Sequence, residues 1–390
     1  MAEYINVEKP FLEKLKQLGW KVIDHGISGI PQNPAKSLRK NFKEIVLEDV
    51  FKESLHKINK TSDGKEWLSN KQLDELYYET TNYSGKNLHE ANKNIFNQLL
   101  QNTNVDRNEL TDEDSPLVRF IDFENWENNS FIAINQFRID TPSSVREAII
   151  PDIILFVNGM PFVVVECKDL DVAEPLSEAE NQIRRYSNRR DDEFGVKEGE
   201  ERLFHYNLFS IITHGEEARA GTISADFDYY YNWKDIFPEE YKVIDIEKDN
   251  EQIQEVLIRG MLNKKILLDV IRHFTLFMEI KEGTEVKIVC RYQQYRAVGK
   301  ILQRLRLGQT PATRSGVIWH TQGSGKSLTM VFLVRKLRSQ SDLRDYMIIM
   351  INDRISLEDQ LTKTAFLTGE KVNVISKRIR LRYELKEHTS

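Results

Sequence analysis

The run AIIPDIILFVNGMPFVVVECK, residues 148–168, constrains this chain more than any other segment. Two apolar, largely β-branched stretches flank Asn158-Gly159. Both positions of a two-residue hairpin turn need positive φ, which Asn and Gly tolerate. A tight, half-buried antiparallel hairpin is therefore expected, with Met160-Pro161 able to widen its loop. Centred near Gly159, it sets residues whose numbers sum to about 318 across from each other. Asp152 then faces Glu166, about 5 Å away on one face. Alternation brings Lys168 back to the face of Glu166.

Two carboxylates held this close repel unless a cation lies between them. Mg²⁺ takes one or two carboxylates together with water and substrate phosphate oxygens. Asp152 and Glu166 are thus candidate metal ligands, with Lys168 positioning water or meeting developing charge. The plainer alternative is a surface hairpin with a cross-strand Glu–Lys pair. Pro-Asp opening one strand, Glu-x-Lys closing the other, and a register fixed by the turn favour the metal site. Downstream, Ser177-Glu178-Ala179-Glu180 has the form of a capping box, which predicts a helix starting near Ser177. Gln182 and Tyr186 share one face of it. With Arg184, Arg185, Arg189 and Arg190 nearby, the helix suits contact with a DNA backbone.

A second motif lies near residue 325. The segment TQGSGKS, residues 321–327, follows the apolar run GVIW and precedes LTMVFLVRKL at helical spacing. Glycines let backbone N–H groups wrap phosphates, and a helix N-terminus adds favourable partial charge. Thr321, Gly323, Ser324, Gly325, Lys326 and Ser327 are therefore candidate ATP-binding residues. Lys326 would reach the β/γ-phosphates, and the Ser327 hydroxyl would meet Mg²⁺. His320 stands where the G-x-x-x-x-G-K-[ST] pattern has its first Gly. Upstream, Gln294 in RYQQYRAV is assigned to the adenine edge. GVIW and YMIIMI read as buried strands. Asn352-Asp353-Arg354, with Leu357 and Gln360 beyond, would lie at a strand's carboxyl end, where such sheets meet ligands.

The rest of the chain reads as helices and loops to about residue 110, then short strands from Leu117. Helices resume over about 250–279, after the stretch ADFDYYYNWKDIFPEEYKVI, read as a loop between domains. The expected fold class is α/β. One domain covers 1–235, a connecting region 236–259, and the start of a second domain 260–390. Charge follows this division. Residues 259–390 hold 25 Lys+Arg against 12 Asp+Glu, net +13, whereas the chain as a whole carries −6. Such asymmetry fits a chain of which only part meets phosphates. Two distant Cys and an N-terminus without basic leader or apolar segment suggest a reduced, cytoplasmic protein. No run approaches the roughly 18 apolar residues of a membrane span.

In combination these motifs resemble the restriction (R) subunit of type I restriction-modification enzymes. PDIILFVNGMPFVVVECK is similar to that family's version of the PD-(D/E)xK nuclease core, and Gln182 and Tyr186 match its Q-x-x-x-Y helix. LFHYNLFSIITHGEEARAGT and YYNWKD resemble the segment that follows. GVIWHTQGSGKSLTM resembles the family's phosphate loop and INDRISLEDQ its next motor motif. The resemblance runs from about residue 5 to about 365. It implies a nuclease domain with a central mixed sheet, followed by the start of a RecA-like superfamily 2 translocase. It also implies Mg²⁺-dependent cleavage of double-stranded DNA, ATP as motor cofactor, and methyltransferase and specificity subunits as partners. Asp152, Glu166, Lys168, Gln182 and Tyr186 become candidate catalytic residues, and Glu8 on the first helix a further acidic ligand. Only 64 residues follow Lys326, with no Asp-Glu-x-His box or later motor motif among them. A truncated subunit, inactive as an ATPase in isolation, is therefore expected. Two alternatives stand beside this: a catalytically silent nucleotide- and DNA-binding fragment, or a helicase fragment with an inactive nuclease domain.

Overall fold

A computed structural model describes residues 2–27, 29–83, 85–111, 113–143, 145–190, 196–239, 253–281, 283–351 and 364–375. The chain divides into two compact units, Met1–Tyr292 and Gln293–Ser390. The first opens with a π-helical turn, Tyr4–Glu8, continuing into α1 (Lys9–Gln17), then β1 (Lys21–Ile23). Helices α2 (Glu48–Ile58), α3 (Asn70–Thr81) and α4 (Leu88–Gln101) follow. Next come short strands β2 (Thr103–Asn104) and β3 (Leu117–Val118), then β4 (Phe131–Asn135), β5 (Ile139–Asp140), β6 (Ala148–Ile149), β7 (Ile153–Val157) and β8 (Met160–Cys167). After α5 (Pro175–Tyr186) come β9 (Phe209–Thr213), β10 (Ala218–Gly221) and β11 (Tyr231–Asn232). Helices α6 (Ile253–Met261) and α7 (Lys264–His273) and the hairpin β12 (Thr275–Lys281) to β13 (Thr284–Val289) complete this unit.

Its centre is a mixed sheet in the order β1-β4-β7-β8-β9-β10-β11, parallel at β1/β4 and β8/β9 and antiparallel elsewhere. The hairpin β7–β8 sits in the middle, so every residue of both strands is buried. The half-buried hairpin read from sequence is thus a fully enclosed pair, as continuous apolar runs favour. Ile153 pairs with Val165, whereas Val157 pairs with Met160, because a register shift beyond Leu155 leaves Phe162 unpaired. Such a bulge adds one residue to one strand and bends it. Asn158 (φ 51°) and Gly159 (φ 80°) form the two-residue turn. The turn is interior too. Asn158 Nδ2 donates to the Phe120 carbonyl, and its Oδ1 accepts from Ser130 N–H. A Cβ on Gly159 would meet the Leu47 carbonyl at 2.7 Å, so the start of α2 docks directly on glycine backbone.

Further expectations are corrected in this unit. Helix α5 begins at Pro175, with Glu174 before it in the left-handed region; Ser177 is not its cap. Proline at the first helical turn has the right φ and needs no hydrogen-bonded N–H, and it takes precedence over the box. The run TLFM after His273 is strand, not helix. Leu276 is buried on β12 and Phe277 packs edge-on to Phe96, an arrangement that short apolar runs allow as readily as a helix. The stretch read as an inter-domain loop contributes β11 and the buried side chains Tyr230, Trp233 and Ile236. The division by contact falls at Tyr292 rather than near 260, because α6, α7 and β12–β13 pack within the first unit. Most of the expected connecting region, 240–252, lies outside the described residues.

The second unit contains α8 (Tyr292–Leu307, entering from the first), α9 (Pro311–Arg314) and α10 (Lys326–Arg338). GVIW and YMIIMI are not strands here: Val317 is 92% exposed, Trp319 88% and Ile351 90%. A parallel strand needs hydrogen-bonded neighbours and covered faces, and neither run has a strand partner among the described residues. Asn352, Asp353, Arg354, Leu357 and Gln360 fall outside the described residues.

Candidate metal centre and phosphate loop

The acidic cluster begins with a proline. Pro10 has no N–H to give the carbonyl of Asn6, four residues back, and its ring would crowd that oxygen. The helix widens just before it: Lys9 N–H closes onto the Tyr4 carbonyl five residues back. Glu8 ends this turn and is 2% exposed. Strand β4 brings a second layer. Asn135 and Gln136 follow its apolar run, and Gln136 takes φ +48°, unusual for a residue with a side chain. Its amide Nε2 donates to Glu8 Oε1 and Oε2, both at 3.1 Å, and lies 3.5 Å from Asp152 Oδ1. Asn135 Nδ2 adds a 3.4 Å bond to Glu8.

Asp152 precedes β7 and is fastened from across the hairpin. The Cys167 N–H donates to its Oδ2 at 2.7 Å. Glu166, on β8, is wholly buried. Its Oε1 accepts from Lys168 Nζ at 2.7 Å, while its Oε2 has no hydrogen-bond partner. Lys168 Nζ also donates to the Cys167 carbonyl at 2.9 Å. Burial holds the Asp152 carboxyl well above its ordinary range, and the nearby charges of Glu166 and Glu8 add to this. Burial likewise pushes Glu166 up to about 7, against the pull of Lys168. Glu8 is raised by burial, partly offset by the amides of Gln136 and Asn135. Burial works against the Lys168 ammonium, but Glu166 and Asp152 outweigh it and raise its pKa.

Buried carboxylates with displaced pKa values and an orphaned oxygen are costly unless something of opposite charge shares the site. The donors are all hard oxygen, the set that Mg²⁺ or Mn²⁺ prefers. The residues present therefore fit a divalent ion.

Gln182 and Tyr186 sit differently from a DNA-facing pair. Tyr186 is 1% exposed, and its hydroxyl donates to the Ile150 carbonyl at 3.0 Å while accepting from Gln182 Nε2 at 2.5 Å. The pair therefore ties α5 to the backbone two residues ahead of Asp152, and the buried phenol has no access to a nucleic-acid backbone. Gln182 itself is half-buried. Arg184 and Arg190 pair with Asp226 and Glu198, and Arg189 donates to the Ile223 carbonyl. Sequence reasoning missed Gln136 and Asn135. Their signal was two amides at the carboxyl end of an apolar strand, beside a proline-bearing helix start.

In the second unit, Gly323 (φ 77°) and Gly325 (φ 80°) turn the chain into α10. Ser324 Oγ donates to the Thr321 carbonyl at 2.6 Å. Lys326 Nζ folds onto the carbonyls of His320 and Thr321, at 2.8 and 2.9 Å. Ser327 is the second residue of α10, half-buried beside them. Gln294, buried on α8, donates from Nε2 to the Gly325 carbonyl at 3.1 Å. Its amide nitrogen thus braces the loop.

Residues 2–229 match the family model for the type I restriction enzyme R protein N terminus, and residues 293–390 match that for the SWI2/SNF2 ATPase. The second match begins where the second compact unit begins. The chain is 32% identical over 368 residues to the type I restriction enzyme HindI endonuclease subunit of Haemophilus influenzae, an alignment covering 94% of this chain and 33% of that protein. It is 26% identical to the type I restriction enzyme SauMSSORF170P endonuclease subunit of Staphylococcus aureus, covering 92% of this chain and 32% of that one. The chain thus spans about a third of the length of the curated relatives it matches. No helix among the described residues is long and apolar enough to cross a membrane. The carboxylate-bearing first unit and the glycine-rich loop of the second are those of a member of the type I restriction enzyme R protein family, with a helicase-like ATPase segment following its N-terminal domain.

Proposed function

We propose that the first unit is a PD-(D/E)xK nuclease that hydrolyses phosphodiester bonds of double-stranded DNA with Mg²⁺. The observation that carries this reading is the fully buried Glu166, one oxygen on Lys168 and the other without a partner, beside Asp152. Asp152 and Glu166 would hold the ion, with Glu8 as a further acidic ligand. When bound, Mg²⁺ supplies neutralisation of the scissile phosphate and makes water a better nucleophile. Lys168, kept charged by its carboxylate neighbours, orients the attacking water and meets negative charge developing on the phosphate. Gln136 keeps Glu8 and Asp152 in place. Tyr186 with Gln182 fixes the backbone that presents Asp152.

In the second unit, Thr321, Gly323, Ser324, Gly325, Lys326 and Ser327 would receive ATP phosphates. Lys326 would exchange its loop carbonyls for phosphate oxygens, Ser327 would meet Mg²⁺, and Gln294 would stand at the nucleotide's edge. By family likeness the whole assembly is an ATP-driven DNA translocase and nuclease working with methyltransferase and specificity subunits. This chain alone is silent as an ATPase, a reading favoured by the exposed runs around Val317 and Ile351. In the full-length subunit assembled with its methyltransferase and specificity partners, Asp152→Asn and Lys168→Ala should abolish DNA cleavage without changing ATP turnover. Undiminished cleavage by either variant ends the nuclease reading. DNA-stimulated ATP turnover by the purified chain ends the silent one.

A further inference from the structure

Glu3 has no part in the site described so far, yet the helix start aims it there. In an α-helix, residues five apart are separated by about 140° around the axis. Glu3 and Glu8 would then point apart. The π-turn over Tyr4–Glu8, with its i→i+5 hydrogen bonding, puts more residues in the turn and so narrows that offset. Glu3, Glu8 and Asp152 each offer a carboxylate oxygen, and the three oxygens lie within 4.8 Å of one another.

The turn is fastened on both sides. Tyr4 Oη donates to Asp24 Oδ2 at 2.8 Å, beyond β1, and Asn6 Nδ2 donates to Asp169 Oδ2 at 3.2 Å, the residue after Lys168. A second feature, outside this group of three carboxylates, points to a positively charged ligand beside Asp152. Glu166 is wholly buried, its Oε2 meets no hydrogen-bond donor, and its charge acts on Asp152. The three clustered carboxylates and Glu166 make four acids. Lys168 is the one side-chain cation hydrogen-bonded to any of them among the described residues.

We propose that Glu3 is a ligand residue for a divalent cation shared with Glu8 and Asp152, delivered by the π-turn that Pro10 imposes. This rests on the nuclease reading and extends it. A carboxylate that α-helical geometry would send elsewhere enters the centre. The ion is a hard, oxygen-seeking one such as Mg²⁺ or Mn²⁺.

Calorimetric titration of Mn²⁺ into the whole metal-free chain tests this without any cleavage assay. Glu3→Gln should weaken Mn²⁺ binding on the order of 10- to 100-fold while leaving thermal unfolding of the metal-free chain unchanged. Glu3→Asp, which keeps the charge on a shorter arm, should recover part of the loss, as a purely structural role would not. Wild-type affinity in Glu3→Gln overturns the assignment of Glu3 alone. Absence of Mn²⁺ binding by the wild-type chain, or binding unaffected by Asp152→Asn, overturns the metal centre on which it depends.

Discussion

Glu166→Gln removes one ionisable group from the middle of the sheet while preserving its shape. Glu166 is raised by burial from an ordinary 4.5 to about 7. Its folded-state carboxyl therefore holds a proton more tightly than the unfolded one. For such a group the stabilising contribution is complete below pH 4.5 and is lost as pH rises through about 7. At about 1.36 kcal/mol per unit, the loss is on the order of 3 kcal/mol. The amide of the Glu166→Gln variant would have no such dependence, and its carbonyl can still accept from Lys168. Urea unfolding of the metal-free chain in chelator, at several pH values, measures this directly. Asp152 titrates beside it and feels the Glu166 charge, so the difference between the two proteins reports Glu166 together with its coupling to Asp152. The variant should equal the wild type near pH 4.5 and exceed it by on the order of 3 kcal/mol near pH 8. Mn²⁺ at a hundred times its dissociation constant should add about 2.7 kcal/mol to the wild type and much less to the variant. A variant no more stable than wild type at pH 8, or one gaining equally from Mn²⁺, would refute the reasoning. Such a result would mean that Glu166 bears no ionisation cost and serves no ion.

Three other expectations follow from named contacts. Gln136→Gly keeps the left-handed backbone without strain but removes the amide between Glu8 and Asp152, so Mn²⁺ affinity measured by calorimetry should fall on the order of 10- to 100-fold. Tyr186→Phe loses the bond to the Ile150 carbonyl and should cost about 1 kcal/mol in urea unfolding, together with reduced cleavage by the assembled complex. Pro10→Ala restores a helical N–H for the Asn6 carbonyl, so the melting temperature should rise while Mn²⁺ affinity falls; a rise in both would contradict the role given to the π-turn.

Much of the first unit was legible because short-range rules suffice there. Positive φ at Asn158-Gly159 fixed the hairpin, but that turn alone would set Ile153 opposite Val164; the observed Ile153–Val165 pairing needs the bulge. The bulge at Phe162 was not legible, since it depends on how neighbours pack on β8. Nor was the burial of the whole hairpin, because an apolar run reads alike on an edge and at the centre of a sheet. Tyr186 illustrates a different limit. Its four-residue spacing from Gln182 was correct, but whether a helix face meets solvent or a strand's backbone is decided by the fold. Gln136 was invisible because its role needs a strand end, a helix start and a hairpin to converge. Glu3 was invisible because α-helical periodicity points it away. GVIW and YMIIMI have the composition of central strands, yet composition supplies no partner strand.

The claim beneath all of this is that the carboxylates at the end of the β7–β8 pair hold a divalent ion. Anomalous diffraction from crystals of the chain soaked in Mn²⁺ measures that position directly. The account predicts a peak bounded by Asp152, Glu166 and the helix-borne acids Glu8 and Glu3, and no peak there in Asp152→Asn. Wild-type crystals with no Mn²⁺ peak at these carboxylates, under conditions where exposed acidic sites take up the ion, would contradict it.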